Sequence, residues 1–600
     1  MERDAEKGYG DLARPAESHV VQHMGNRVSL ARVSVAGPPP TPPPKEDKPR
    51  PMTSSTRRLS FSTTMSQRKI KYGTGRHSQT ELSPQPTDDP DDPLNWPKWK
   101  KELNFAAILM TAGLVGGMKT AYISVNSVLA VRFNISYTAV ASLTAVPLVI
   151  SSITGLLSLI ASKIWGKRPV YLVSMTLIFI GAIWNMAAGN SFGELMGARV
   201  FQGLGWGAFD TLVLGSIHDT YFEHERNIRI AAYNILVAVT TWGAPILGGL
   251  ASQNAGRFTI QFEIINLLQF IAIPLLAFGA PETAFERWFS SSPAPTPGSA
   301  SPWASQPPKP LGKPTIEDAK AYLRSMTPVS FSGMMDLRTL LQAPRAFVAP
   351  TTGLLVVVTF LPYCTLWGLT ESLSLLFFPM PWMLSEGNLG ALMMAPFILA
   401  VIALVATAVW RRRASDYTPY CIACTLAGGT VLAAAGILAF GLKTHDVMSE
   451  VSAEPSNVFA TDGVGTHLSF PLLSLLLGLL AAGVATLDTA VRPVIWRSTQ
   501  FTSSNMNVCL RNVADMDAGV TCWRNLLAGV FVMTIPNAIV MWAGLKATVL
   551  GLGISQVLVG VAGCALWWIY DEHVRRLDGI VMGLVDLSML KRTGSFFDTD

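Results

Sequence analysis

The sequence predicts an all-α membrane protein with twelve transmembrane helices in two pseudo-symmetric six-helix halves. The 600-residue chain contains twelve apolar stretches, each with roughly the 20 residues that a helix needs to cross a hydrocarbon core. Six stretches lie on each side of a segment rich in proline and serine. Lysine and arginine are concentrated in alternate connections, which is typical of a chain that crosses a membrane repeatedly.

Composition excludes an ordinary soluble protein. Half of the residues are hydrophobic and 14% are charged, and the mean hydropathy is positive. The net charge of +6 lies mostly in the tails and connections, so it indicates contact with lipid headgroups and not with nucleic acid. The six cysteines show no disulfide framework. Cys421 and Cys424 have C-x-x-C spacing, but they lie in an apolar segment without a second pair of ligands, which favours buried thiols over a zinc or redox site. We expect no cofactor and no metal.

The chain divides into five segments. We expect a disordered cytoplasmic tail at 1–102, six-helix halves at 103–281 and 346–571, a cytoplasmic central loop at 282–345, and a cytoplasmic tail at 572–600. The spans of the first half run approximately over 104–127, 137–161, 169–188, 191–216, 229–252 and 258–280. Those of the second half run approximately over 346–369, 381–409, 418–441, 468–494, 521–544 and 547–570.

Positive charge predicts that both tails are cytoplasmic, because short cytoplasmic connections carry an excess of lysine and arginine. The connections on the side of the tails hold Lys163, Lys167, Arg168, Arg226, Arg229, Arg411, Arg412, Arg413, Arg497 and Arg511. The connections on the opposite side hold only Arg132, Arg257, Lys443 and Lys546. The one N-x-[ST] sequon, at Asn134, falls in the first outside connection and predicts glycosylation there.

Ionisable residues inside the spans are the strongest indication of function, since each costs about 2.5–3.5 kcal/mol at a helix centre. Lys119 lies near the middle of span one, so it should face a cavity or a carboxylate; a structural ion pair and substrate contact both remain open. In span four, Arg199, Gly203, Trp206 and Asp210 share one helix face, which should line a passage. Arg199 and Asp210 are about 16 Å apart along the helix and cannot pair.

Span ten repeats part of span four, which indicates duplication of the two halves. Both contain G-x-x-x-[FL]-D-T-x-V, beginning at Gly205 and Gly483. The aspartates of this repeat, Asp210 and Asp488, are candidate proton carriers. Arg492 lies one turn beyond Asp488, so an intrahelical ion pair is the alternative there.

Further acidic and aromatic residues complete the candidate site. Glu263 in span six joins the candidates for proton coupling, and Glu371 near the outer end of span seven is either a member of this set or solvated. Candidates for the wall of a substrate cavity, each with packing as its alternative role, are Lys119, Tyr122, Asn126, Gln202, Trp206, Tyr363, Trp367 and Arg492.

Four stretches in or beside the first half carry a family resemblance. They are Asp92–Trp96, which reads D-P-L-N-W, Arg199–Gly205, which reads R-x-x-Q-G-x-G, Phe222–Arg226 and Pro281–Thr283. Together they resemble the major facilitator superfamily, in particular the fungal drug:proton antiporters with twelve spans. The family links the arginine of the second motif to proton transfer, which implies that role for Arg199.

Two gating motifs of that family are retained in part. Ala244–Gly249 is similar to G-P-x-x-G-G, with alanine at the first position, and Pro245, Gly248 and Gly249 permit a kink and close helix contact. The connection after span two keeps Gly166, Lys167 and Arg168 of G-x-x-x-D-x-x-G-R-[KR]. Lys163 stands at the position of the aspartate, so we expect this gate to use other partners.

The resemblance implies a monomeric transporter in the plasma membrane that expels small organic molecules in exchange for protons by alternating access. Proton-coupled uptake of a cation, polyamine or nutrient is the alternative function, and a vacuolar or other internal membrane is the alternative location. A membrane-bound enzyme or a transport-derived sensor is less favoured, because none of the eight histidines lies in a confident span. An ATP-driven pump is disfavoured, since the sequence contains no G-x-x-x-x-G-K-[ST] loop.

Overall fold

The computed structural model describes residues 71–73, 81–87, 89, 91–188, 191–287, 320, 322, 326–333, 337–379, 382–413, 419–453, 469–503 and 506–583. Within these ranges the regular structure is helical, apart from one antiparallel bridge between Tyr72 and Glu81. The predicted disorder of the N-terminal tail falls mostly on residues 1–70, which lie outside the described residues. Most of the central loop and the end of the C-terminal tail also lie outside them.

The first half is built from α1 (Lys98–Thr120), α2 (Asn126–Phe133), α3 (Tyr137–Trp165), α4 (Lys167–Ala187), α5 (Phe192–Thr211), α6 (Val213–Thr220), α7 (Glu223–Ala255) and α8 (Ile260–Gly279). Helix α1 occupies most of predicted span one, and α2 begins at the end of that span. Helices α5 and α6 occupy span four and are separated by Leu212 alone, whose backbone stays in the right-handed helical region.

The second half is built from α9 (Leu337–Val348), α10 (Pro350–Phe377), α11 (Glu386–Ala391), α12 (Met394–Arg413), α13 (Pro419–Ala453), α14 (Phe470–Thr502), α15 (Met506–Asn537) and α16 (Gly544–Val581). A short π-helical turn, Ala538–Trp542, joins α15 to α16. Several helices are longer than the apolar stretches that predicted them. For example, α15 begins at Met506, well before the predicted start of span eleven at residue 521.

The described helices agree with the predicted fold class. Eleven of them are long and apolar enough to cross a membrane by length and composition. Span four is not among these eleven, because glycines and the polar residues Arg199, Gln202 and Asp210 lower its hydropathy. It nevertheless packs between α3 and α4 inside the bundle. The prediction of an all-α membrane fold is therefore confirmed.

Glycines let α5 approach its neighbours closely. A methyl group at Gly203 would lie 2.8 Å from the Cα atom of Pro147 in α3, too close for any side chain. Gly203 was predicted to act in gating, and the structure gives it a packing contact. Close approach of this kind is the usual means of helix association in a membrane, where burial from water supplies no driving force between helices.

One glycine of the G-P-x-x-G-G motif lies where the two halves cross. Helix α7 runs through Pro245 without ending. A methyl group at Gly249 would lie 2.5 Å from the carbonyl oxygen of Glu386 in α11, and one at Gly390 in α11 would meet the carbonyl oxygen of Pro245. Gly248 instead faces Gln261 of its own half. The motif thus allows backbone-to-backbone contact between α7 and α11.

The turn between α3 and α4 carries the other predicted gating residues. Gly166 has φ of +91°, a conformation that glycine adopts readily, and any side chain there would meet Glu282. The Glu282 carboxylate accepts hydrogen bonds from the backbone nitrogens of Lys167 and Arg168, at 3.0 and 2.9 Å. The Arg168 guanidinium donates to the carbonyl of Ala280 at 2.5 Å. These contacts join the start of α4 to the end of α8 within one half.

Lys163 reaches across to the second half at this same end of the bundle. Its Nζ atom lies 2.5 Å from Oδ2 of Asp515 in α15, and the side chains are 10% and 4% exposed. A second contact between the halves involves the buried His218 in α6, whose Nδ1 lies 3.2 Å from the carbonyl oxygen of Leu510. His218 follows the predicted end of span four, as expected, but it is buried in a helix and does not belong to a solvated loop. Lys163, at the position of the family's aspartate, finds its acidic partner on α15.

The halves also meet at the opposite end of the bundle. The backbone nitrogen of Ser127 donates to Oγ of Ser374 at 2.9 Å, and the Ser127 hydroxyl donates to the Ser374 carbonyl oxygen at 2.9 Å. The Thr138 hydroxyl donates to Oδ1 of Asn537 at 2.8 Å. Since α3 runs from Tyr137 to Trp165, contacts between the halves occur at both of its ends.

The segment before α1 is ordered, contrary to the predicted tail boundary at residue 102. Residues Pro93–Asn95 form a 3₁₀ turn whose N-cap, Asp92, is fully buried. Asp92 forms an ion pair with Arg287, which follows α8, at 3.0 Å. Burial acts to raise the pKa of Asp92, but the Arg287 charge, with hydrogen bonds from Arg287, Thr87 and Leu94, holds that pKa below its usual range. At the other end, α16 continues past the predicted boundary at residue 571.

We predict that Asp92→Asn destabilises the fold by about 3–5 kcal/mol at neutral pH, because it removes one partner of a buried ion pair. Thermal unfolding in detergent measures the loss. The control is Asp91→Asn at the exposed neighbouring position, which should leave stability unchanged. Because the folded pKa is depressed, the difference between wild type and variant should stay constant above about pH 4 and shrink only below it. A difference that disappears at neutral pH would contradict the prediction.

We predict that Lys163→Asp destabilises the contact with Asp515, because it places two carboxylates together in a buried site. Adding Asp515→Lys restores opposite charges. Thermal unfolding of the two single variants and the double variant should give a favourable coupling energy of about 0.5–3 kcal/mol. Strictly additive effects would show that the pair does not hold the halves together.

Candidate functional site

A cavity of about 210 Å³ lies between the two halves. The first half supplies its wall from α1, α5, α6 and α7, and the second half from α10, α12, α14 and α15. Six ionisable side chains other than tyrosine line it, and they are Lys119, Asp210, Asp488, Arg492, Asp517 and Arg524. The cavity therefore combines charge from both halves within an apolar bundle.

Lys119 and Asp210 form an ion pair within the first half. Nζ of Lys119 lies 2.6 and 2.8 Å from the two carboxylate oxygens of Asp210. Asn525 of α15 donates to the same carboxylate at 3.0 Å. Asp210 thus bonds to both halves at once. Lys119 was predicted to face a cavity or a carboxylate, and it faces both.

A second ion pair lies within the second half. Nη1 of Arg524 lies 2.6 Å from Oδ1 of Asp488, and its guanidinium stacks 4.0 Å from the centre of the Tyr363 ring. The Tyr363 hydroxyl donates to Oδ1 of Asn525 at 3.1 Å. The Asp488 side chain is 38% exposed, against 13% for Asp210, so it is the more accessible of the two repeated aspartates.

Arg492 pairs with α15 and not with its neighbour on α14. Its Nε atom lies 3.5 Å from Oδ1 of Asp517. The intrahelical pair between Arg492 and Asp488, considered from their spacing, is therefore wrong. Spacing allowed that pair, but α15 packs closely enough on α14 to provide a partner for each residue.

The charges of the cavity are balanced, since three cations face three carboxylates. Each carboxylate has a cationic partner at 2.6–3.5 Å. A charged ligand must therefore compete with an existing pair or bring a compensating group. Protonation of one carboxylate changes the charge of the whole lining, because the partner cation is then left uncompensated.

Aromatic rings from both halves form another part of the wall. The rings of Trp242 in α7 and Trp367 in α10 have centroids 5.5 Å apart. Tyr363 lies one helical turn before Trp367, with ring centroids 6.3 Å apart. Tyr363 and Trp367 were predicted to line a substrate cavity, and both line this cavity. Binding of substrate there stays a prediction.

Arg199 lies inside the first half and does not reach the cavity. Its guanidinium donates to the carbonyl oxygens of Leu143 at 2.8 Å and Met118 at 3.0 Å, and to Gln202 at 2.8 Å. No ion pair of Arg199 with a carboxylate occurs within the described part of the chain. The prediction that the whole face from Arg199 to Asp210 lines a passage is wrong, because α3 and α4 cover the first part of that face.

Three further predicted cavity residues accompany Arg199. Tyr122 and Trp206 lie on either side of its guanidinium, with ring centres 4.7 and 4.9 Å from Cζ, and Gln202 accepts its hydrogen bond. All three are buried away from the cavity. Their positions correct the prediction that they form its wall.

Asn126 and Glu263 also lie apart from the cavity. Asn126 is buried at the end where Ser127 meets Ser374, and it contacts the second half there. Glu263 pairs with Arg257 at 3.0 Å on an exposed surface, with side chains 34% and 55% exposed. Glu263 therefore does not join the cluster that was predicted from the sequence.

Sequence reasoning missed the contribution of α15. Asp517 and Arg524 are seven residues apart on this helix, which places them on one face. That spacing is a usable signal, but the apolar stretch of predicted span eleven begins only at residue 521, which places Asp517 in a connection. Within the described residues, no three potential ligands among His, Cys, Asp and Glu are grouped to hold a metal ion.

Comparison with known proteins identifies the family. The family model described as Major Facilitator Superfamily matches residues 108–490. An uncharacterized MFS-type transporter of Schizosaccharomyces pombe is 29% identical over 224 residues, which cover 36% of this chain and 38% of the relative. An MFS antiporter of Candida albicans is 30% identical over 122 residues, covering 20% and 17%.

Polyamine transporter 3 of Saccharomyces cerevisiae is 26% identical over 205 residues, covering 33% of this chain and 31% of the relative. The matched region thus spans less than two fifths of the length of each of these relatives. The family model, in contrast, extends from α1 to α14 and includes most of both halves. On the strength of that match, the chain belongs to the major facilitator superfamily.

Proposed function

We propose that this protein is a secondary active transporter that expels small organic molecules in exchange for protons. The observation that supports this proposal is the charged cavity between the two halves, bounded by contacts between those halves at both ends. Substrate sites of secondary transporters lie at such repeat interfaces. Breaking the contacts at one end at a time would expose the cavity to one side of the membrane at a time.

Asp210 is the proposed coupling residue. Asp210 forms an ion pair with Lys119 of its own half and accepts a hydrogen bond from Asn525 of the other half. A proton on Asp210 would remove the charge that balances Lys119, and would alter a bond that connects the halves. Proton binding can therefore shift the balance between conformations, provided that the two conformations differ in affinity for the proton.

Asp488 is the proposed site where substrate competes. Its carboxylate is the more exposed of the repeated pair and lies beside the aromatic wall of Tyr363 and Trp367. A substrate with an aromatic or apolar body and one polar or cationic group fits a lining of rings and a reachable carboxylate.

Transport of a polyamine or another cation is the alternative, and the same Asp488 carboxylate favours it. The relatives include both an antiporter and a polyamine transporter, so their names leave direction and substrate open. The balanced lining counts against a polycation, because several carboxylates would have to leave their present partners.

The location of the protein, its oligomeric state and its glycosylation are also proposals. We propose a monomer in the plasma membrane, with an internal membrane as the alternative. Asn134, the predicted glycosylation site, is exposed at the C-terminal end of α2. Its accessibility supports the glycosylation that the sequon predicts, at the end of the bundle expected to face outward.

We predict that Asp210→Asn abolishes proton-driven transport in proteoliposomes, while the protein still inserts and folds. The asparagine keeps the shape of the aspartate but cannot exchange a proton. The probes are rhodamine 6G, an aromatic cation, and radiolabelled spermidine, a polyamine, each followed while an imposed pH gradient is collapsed with a protonophore. The matched control is Glu263→Gln, which removes a carboxylate outside the cavity and should leave transport unchanged.

The two probes separate the two candidate functions. Gradient-dependent movement of rhodamine 6G supports the efflux of organic molecules, and movement of spermidine alone supports the alternative. Wild-type rates in Asp210→Asn would remove Asp210 from coupling. Equal rates with and without the gradient would exclude proton coupling altogether.

A further inference from the structure

Glu371 lies at the interface between the halves and is fully buried. It belongs to α10 of the second half, and its side chain is inaccessible to solvent. The sequence left a solvated position open for Glu371, and the structure excludes that interpretation. It lies at the end where Ser127 meets Ser374, away from the cavity of Lys119 and Asp210.

Among the described residues, the hydrogen-bond partners of Glu371 outside its own helix come from the opposite half. Nδ2 of Asn126 in α2 donates to Oε2 of its carboxyl group. The hydroxyl of Tyr137 in α3 donates to its backbone carbonyl oxygen. Together with the hydrogen bonds between Ser127 and Ser374, these contacts close this end of the bundle.

The carboxyl group of Glu371 has too few donors around it. Oε1 is buried without a hydrogen bond of good geometry, and so is Oδ1 of Asn126. The hydroxyl of Thr144 faces the same carboxyl group and can donate one hydrogen bond to it. When the carboxyl group is ionised, Oε1 and Oδ1 can only accept, and one hydroxyl cannot donate to both of them. A donor is therefore missing from the cluster.

No cation neutralises Glu371 at ion-pair distance among the described residues. The titratable groups that face it are Tyr137 and Arg199. Arg199, on α5, is already engaged by the carbonyl oxygens of Leu143 and Met118. An ionised and unpaired carboxylate in such a site carries a large desolvation cost, and the neutral acid avoids most of it.

Other buried carboxylates of the chain differ in this respect. Asp210 and Asp92 each have a cationic partner. Asp578, which has none, accepts hydrogen bonds from the Thr351 nitrogen, the Thr351 hydroxyl and the Ser498 hydroxyl. Glu371 has neither a cation nor a full set of donors. One added proton would supply the missing donor, since a protonated Oε1 can donate to Thr144 or to Asn126.

We propose that Glu371 is a proton-binding site that holds its proton while the halves are in contact at this end and releases it when they separate. On separation, water enters between α2 and α10, the O–H bond of the acid breaks, and water accepts the proton. The electron pair stays on the carboxylate, which is then hydrated. This site deepens the proposed function, on which its role in transport rests, and it is separate from Asp210.

The test measures the contact itself and not transport. Spin labels on Val131→Cys in α2 and Met541→Cys after α15, both at exposed positions, report the distance between the halves at this end. Cys421, Cys424 and Cys564, which are partly exposed, are first replaced by serine in every variant. Infrared difference spectra of the full-length protein in nanodiscs follow the carbonyl stretch of protonated carboxyl groups over the same pH range.

In the wild type, the ratio of separated to closed molecules should rise with pH by up to about tenfold per pH unit, as expected for the release of one proton. A protonated-acid band should disappear over the same range. Glu371→Gln, which imitates the neutral acid, should stay closed at every pH and lack that band. Ser374→Ala, a control at the same contact, should weaken closure at all pH values but keep the pH dependence.

Two results would overturn the proposal. One is a pH response of the distance that persists in Glu371→Gln, and the other is an acid band that remains in that variant. Failure of the proposed function is separate. If Glu371 controls closure but a pH gradient drives the movement of neither rhodamine 6G nor spermidine, the proposal of a proton site is retained and the proposal of proton-driven transport is rejected.

Discussion

Burial of charge between helices is the constraint on which this structure depends. An ionised side chain remains in a membrane span only if a partner or a hydrated space compensates for the lost water. Lys119, Arg524 and Arg492 each meet a carboxylate at the cavity. Arg199 donates hydrogen bonds to backbone carbonyls and lies against the faces of two aromatic rings. The packing of the helices therefore places each of these charges next to a group that compensates for the lost water.

The two halves contribute unequally to the compensation of these buried charges. Lys119 and Asp210 belong to the first half, but Asn525 of the second half completes their bonding. The pairs of Asp488 and Arg492, in contrast, are formed entirely by α14 and α15. A change of charge on Asp210 is therefore felt by both halves. A change on Asp488 acts first within the second half.

Much of the fold could be predicted from the sequence, because length and hydropathy are local properties. The spans, the two halves and the position of Lys119 and Asp210 inside the bundle all followed from them. Partners could not be predicted in the same way, since they depend on which helices become neighbours. Arg199 shows the limit most clearly. Its helix face was identified correctly as polar, but only the packing of α3 and α4 reveals that this part of the face is covered.

Helix ends set a second limit, because polar residues at the end of a long helix resemble a connection. Asp515 and Asp517 precede the apolar part of α15, so hydropathy assigned them to a loop, whereas both are buried or nearly buried partners of basic residues. Glu371 illustrates the converse. Its position near the end of a span suggested exposure to water, and contact with the other half removed that exposure.

The crossing of α7 and α11 has a mechanical consequence. Gly249 and Gly390 bring the two backbones together with no side chain between them. Flexible side chains elsewhere at the interface can change rotamer or repack if the halves tilt, but two peptide backbones in contact cannot move closer together. This crossing is therefore suited to act as a pivot, about which the halves can rotate while the distance between α7 and α11 hardly changes.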